Sequence, residues 1–240
     1  MPEEWIRHLE DTFALYGTLG ADEQARLRDD MRIFHAEKHW EGCGELELED
    51  RITVPIAGQA CLLTLGRSVD AYDHVHSILV YPEAYRVPVV SHDESGVVSE
   101  WIDDREGESW ERGTVILSWT DAVFGAGEAD GRNLVIHEFA HQIDLLDALS
   151  GPYVPSSQKE LYRRWETTFL DAFDAFCGLV DEGREDPVLD PYGAEDEAEF
   201  FAVAAEAFFE IPRALRHHHP NLYGLLSEYF NQDPARRRPA

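Results

Sequence analysis

Leu134-Val135-Ile136-His137-Glu138-Phe139-Ala140-His141-Gln142-Ile143-Asp144 is the stretch on which the reading of this chain turns. His137 and His141 are four residues apart, and an α-helix carries residues at that spacing on one face, one turn above the other. Two imidazole nitrogens then converge on one point. Glu138 falls on the flank of that face, where it can reach a water at that point without ligating a metal itself. This is the H-E-x-x-H arrangement of two zinc ligands and a general base. Three fixed letters in five also occur by accident, on helices that are merely polar on one side. The neighbours argue against accident. Leu134, Val135, Ile136, Phe139, Ala140, Ile143, Leu145 and Leu146 make the helix apolar nearly all round, so it should be buried. Buried imidazoles and a buried carboxylate are costly without partners, and a metal ion is the partner this spacing suits.

Outward from the motif, the composition sets bounds. A chain of 240 residues, 44% hydrophobic and 11% aromatic, is globular, and residues 1–240 read as one domain. The acidic opening Met1-Pro2-Glu3-Glu4-Trp5 is unlike a signal peptide, and no apolar run reaches membrane-spanning length. Cys43, Cys61 and Cys177 are an odd number without metal-site spacing, which suits a reducing compartment. The chain therefore reads as soluble and cytoplasmic, with no membrane partner. Its net charge of −28, from 48 acids against 20 bases, would repel phosphate and disfavours nucleic acid. The charge reads either as steering of basic partners or as a solvated surface suited to a salty cytoplasm.

Before the motif, Glu3 to Gly17 and Asp22 to about His39 read as amphipathic helices. His35 and His39 form a helix-end pair with no acid after the first. Ile52 to Leu65 reads as a core helix, with Pro55 either interrupting it or standing at its first position. Ile78–Tyr81, Val87–Val90 and Thr114–Trp119 read as strands of a small sheet. Thr114–Trp119 is the candidate edge for an extended substrate, and residues 121–132 are expected to be a loop. The motif helix should end near Gly151-Pro152. Helices follow over Gln158 to Leu179, Glu195 to Glu210 and Pro212 to Tyr229. The fold class is thus α+β and zincin-like, mostly helical, with a small sheet before the H-E-x-x-H helix.

A catalytic zinc needs a third protein ligand and an open position. Asp147 lies six after His141, but a straight helix cannot fold back to its own face. Glu199 is the better candidate, because it sits inside the aromatic stretch Glu197-Ala198-Glu199-Phe200-Phe201-Ala202, where an unpaired carboxylate is expensive. Glu195, Glu197 and Glu210 lie nearer the helix ends and read as solvated. If Glu199 is the third ligand, its helix must pack directly on the motif helix.

His137-Glu138-Phe139-Ala140-His141, with Tyr192 seven residues before Glu199, resembles the gluzincin pattern of the Mlc titration factor A family and, more distantly, the catalytic domain of anthrax lethal factor. The first likeness extends to Ile56–Leu63 and Arg112–Trp119. It implies zinc on His137, His141 and Glu199, with Glu138 as general base and Tyr192 beside the open position. It implies a zinc metallopeptidase acting on a peptide or protein substrate, and leaves exo- or endopeptidase action open, aminopeptidase included. It also implies a transcriptional repressor as partner, so a non-catalytic protein that sequesters a repressor is the alternative. Asp144, three after His141, is the first candidate to orient an imidazole. The lethal factor pattern has an acid four after its ligand Glu, where this chain has Val203, and Glu206 is a possible substitute. His217-His218-His219 reads as a surface run, since consecutive helical residues point in different directions.

Overall fold

The computed structural model describes residues 1–67, 69–92, 98–105, 107–110, 113–127, 129–144 and 159–238. The N-terminal helices α1 (Glu3–Thr12) and α2 (Ala21–Glu37) start where the apolar spacing puts them, although α1 stops at Thr12 instead of running to Gly17, and Leu9, Leu27, Met31 and Phe34 turn inward. Helix α2 stops at Glu37, and His39–Gly42 forms strand β1 instead of prolonging it. His35 and His39 are therefore no helical pair. His35 bonds Thr53 Oγ1 at 2.9 Å, while His39 lies exposed on the strand.

Helix α3 (Asp50–Thr64) is buried without a break from Ile52 to Thr64, as a helix that is apolar all round must be. Pro55 neither opens nor ends it, because the helix starts five residues earlier. At Gly58 the helix runs against α1: a Cβ there would stand 2.6 Å from Leu9 Cδ2.

Strands β2 (Ser77–Tyr81), β5 (Gly107–Trp110) and β6 (Thr114–Ser118) complete one sheet in the order β1-β2-β6-β5, with β5 alone antiparallel. Strands β3 (Tyr85–His92) and β4 (Val98–Arg105) form a separate antiparallel ribbon. The expectation that β6 is an edge fails, since β2 and β5 hydrogen-bond it on both sides. Among the described residues the edge beyond it is β5, which packs against the motif helix.

Residues 121–132, expected to be a loop, are in good part helix α4 (Trp119–Gly127), which also takes in Trp119 from the end of the expected strand. Ser118 Oγ accepts from the Asp121 N–H at 3.4 Å at its start, and Gly125 and Gly127 disguise its pattern. The motif helix α5 (Leu134–Asp144) follows. Its expected end, the start at Gln158 and Asp147 lie outside the described residues. Helices α6 (Lys159–Arg164) and α7 (Leu170–Asp181) are joined by a π-helical turn at Trp165–Phe169. The last three helices are α8 (Glu197–Glu210), α9 (Pro212–His218) and α10 (Pro220–Phe230). One apolar cluster, drawing on residues from Leu9 to Ala235, surrounds α3, α5 and α8. Among the described residues no helix is long and apolar enough to cross a membrane.

Candidate metal centre

Helices α5 and α8 pack directly on each other, as a shared site requires. Each has its start fixed by a cap. Asn133 Oδ1 accepts from the Ile136 N–H at 3.0 Å, and Asp196 Oδ1 accepts from Ala198 and Glu199 N–H at 2.8 and 2.9 Å. The second cap places Glu199 in the first turn of α8, where the helix dipole favours an acid.

Between the two helices, His137 Nε2 stands 3.0 Å from Glu199 Oε2 and 3.2 Å from His141 Nε2. His141 Nε2 lies 3.4 Å from the same carboxylate oxygen. Ligands about 2.0–2.2 Å from a tetrahedral ion would lie roughly 3.3 Å from one another. The three side chains therefore fit a metal in both donor type and spacing. Among the described residues they are the one group of three or more that does.

Glu206, two turns after Glu199, orients the first imidazole. Its Oε1 lies 2.7 Å from His137 Nδ1, and its Oε2 accepts from the Asn133 N–H at 2.5 Å. Donation from Nδ1 leaves the lone pair of Nε2 facing the centre. Burial alone would depress the His137 pKa, but Glu199 and Glu206 outweigh it and push it up to about 10. A proton thus stands in for the cation in the metal-free chain. Glu199 is shifted the other way, since the two histidines hold its carboxyl below the usual range despite burial.

Glu138 is buried, and its Oε2 has no hydrogen-bond partner. Burial raises its pKa to about 7, against the pull of His137 and His141. Tyr192 is 47% exposed, with its ring 6.0 Å from that of His137. Burial and then the Glu199 charge hold its phenol above the ordinary value. Its loop is tied down: Asp190 Oδ1 accepts from the Tyr192 N–H at 2.9 Å, and Arg132, just before α5, pairs with the same carboxylate.

Three expectations need correction. Asp144 hydrogen-bonds neither imidazole, and its Oδ1 is buried without a partner. Burial raises its carboxyl to about 6. Glu210, read as solvated, is 6% exposed and accepts from Asn133 Nδ2 at 3.0 Å, because the end of α8 packs under the start of α5. His219 is not part of a free surface run, since it pairs with Asp186 at 3.0 Å. His217 and His218 are exposed. Asn133 was missed altogether, although an asparagine directly before an apolar helical run is a capping signal.

A family model described as glucose-regulated metallo-peptidase M90 matches residues 1–231. The chain belongs to the M90 metallo-peptidases. An uncharacterized protein of Synechocystis is 34% identical to it over 98% of this chain and 86% of its own length. Proteins named Mlc titration factor A are 32% identical, over 93% of this chain and 84% of theirs in Pectobacterium atrosepticum, and over 98% and 89% in Salmonella agona. The metal that suits an M90 peptidase has a matching donor set here in His137, His141 and Glu199.

Proposed function

We propose that this M90 member is a zinc peptidase whose site comprises His137, His141 and Glu199 as ligands, Glu138 as general base and Tyr192 as oxyanion donor. The observation that carries the reading is the convergence of three ligand atoms, 3.0–3.4 Å apart, beside the unpartnered Glu138 carboxylate. Zinc held there supplies a Lewis acid and lowers the pKa of its water to about 7. Glu138, whose carboxylate Oε2 has no other partner beside the three ligands, takes a proton from the attacking water and passes it to the leaving amine. The Tyr192 hydroxyl donates to the oxygen of the peptide carbonyl as charge develops on it. Glu206 keeps His137 in one tautomer throughout. The open edge of β5, beside α5, is where an extended peptide would add as a strand. The cytoplasm is the compartment that suits three free cysteines.

Metal analysis and a peptide-library digest test this directly. Glu138→Gln should retain one zinc per chain and lose at least about 10²-fold in turnover; a variant that still cleaves would sink the mechanism. The name of the Mlc titration factor A relatives supports a second reading, in which this chain also binds a transcriptional repressor. Capture of such a partner by Glu138→Gln as well as by wild type would separate that role from hydrolysis.

A further inference from the structure

At the C-terminal end of α8, where Phe209 to Ala214 lead into α9, the chain forms a cavity of about 340 Å³, a size that small-molecule sites commonly have. Leu15, Leu62, Phe209 and Ile211 give it apolar walls, and Glu210 also lines it. Arg213, Arg237 and Arg238 border it, a concentration of cations in a chain whose net charge is −28. Arg237 is engaged by Glu23 and Gln232. Arg213 is exposed and donates one bond, to the Arg237 carbonyl. Arg238 is exposed and makes no hydrogen bond or ion pair among the described residues.

We propose that this cavity binds a small organic anion, a carboxylate on an apolar body, and that its occupancy is felt at His137. Apolar walls beside two available guanidinium groups suit such a ligand and reject its cationic counterpart. Glu210 does not oppose it: burial pushes its carboxyl up to about 8, so at neutral pH it carries a proton and no charge. The same residue starts an unbroken path to the metal centre. Asn133 Nδ2 donates to Glu210 Oε1 at 3.0 Å, the Asn133 N–H donates to Glu206 Oε2 at 2.5 Å, and Glu206 Oε1 meets His137 Nδ1 at 2.7 Å. A ligand that draws on Glu210 moves Asn133, and Asn133 holds the acid that aims His137. By reciprocity, whatever the anion does to metal affinity the metal does to anion affinity.

The cavity stands independently of the peptidase reading, whereas the coupling rests on His137 being a metal ligand. Octanoate titrated calorimetrically into the zinc-free chain should bind at least about tenfold more tightly than octan-1-ol or octylammonium. Arg238→Gln should weaken it severalfold, and Ala214→Trp, which fills the cavity, should abolish it while far-ultraviolet circular dichroism stays unchanged. Saturating octanoate should then shift zinc affinity, read by chelator competition, by about fivefold or more. No octanoate binding, or equal binding of octylammonium, overturns the site. Octanoate binding with zinc affinity unmoved overturns the coupling alone. A chain that binds octanoate but no zinc overturns both the coupling and the metal reading.

Discussion

Glu206 joins two tasks through its two oxygens, one facing His137 Nδ1 and the other the Asn133 N–H. Both neighbours are donors, so only a carboxylate can satisfy both at once. Glu206→Gln keeps the shape but turns an amide NH₂ toward one of them. Zinc affinity should fall about 10–100-fold with the helices intact, measured by chelator competition and circular dichroism; unchanged affinity would show that His137 needs no such partner. At this scale the sequence was informative about which side chains converge and less so about what supports them. His137, Glu138 and His141 announce themselves by spacing, and Glu199 by its aromatic surroundings. Asp144 and Glu206 both stand at helical spacing from a proposed ligand, and only the packing of α8 on α5 decides between them. Glu210 looked solvated because a helix end is usually open to water, and here that end is covered.

Among the elements, the helices with strong apolar patterns were legible from their periods: α1, α2, α3 and α8 lie close to their expected places. Elements defined by distant partners were not. Strand β6 was readable as a strand, but its interior position depends on β2, a partner distant in sequence, and on β5, the hairpin neighbour that no apolar pattern announces. Helix α4 was hidden by its two glycines, and the structure gives a reason for one of them. A Cβ on Gly125 would stand 2.8 Å from Asn133 Cα and 3.1 Å from Arg132 O. The missing side chain lets α4 lie against the start of α5, where the Gly125 carbonyl also accepts from Asn133 Nδ2 at 3.1 Å. Because both close atoms are backbone, Gly125→Ala must push the two helices apart. Chemical denaturation should show a loss of about 1–3 kcal/mol, accompanied by weaker zinc binding because Asn133 moves. A variant as stable as wild type would show that the contact is slack.

For the molecule as a whole, the buried titrating groups make a connected case about pH in the zinc-free state. Glu210 keeps its proton to about pH 8 when folded, against a reference of 4.5, and Asp144 to about 6 against 3.8. Between each pair of values the folded chain holds a proton that the unfolded chain has released, so stability falls as pH rises. His137 adds to the same trend, because its folded value near 10 exceeds the reference of 6.5. Its contribution is complete below 6.5 and is lost as pH climbs through 10. Glu199 opposes them at the acid end, since its depressed carboxyl favours the folded state above 4.5 and loses that advantage as pH drops further, and His35 and His74, which burial holds below 6.5, oppose them as pH falls through that value. The surplus of acids over bases works with the majority, since self-repulsion grows as carboxyl groups ionise. Stability of the zinc-free chain should therefore decline from pH 7 to pH 9. Glu210→Gln retains an acceptor for Asn133 without a charge, and should recover on the order of 1–3 kcal/mol at pH 8 with little change at pH 5. Denaturation curves at pH 5, 7 and 9 for both proteins check this. If wild type grows more stable toward pH 9, or if the variant gains equally at all three, Glu210 is not the buried acid that its position makes it.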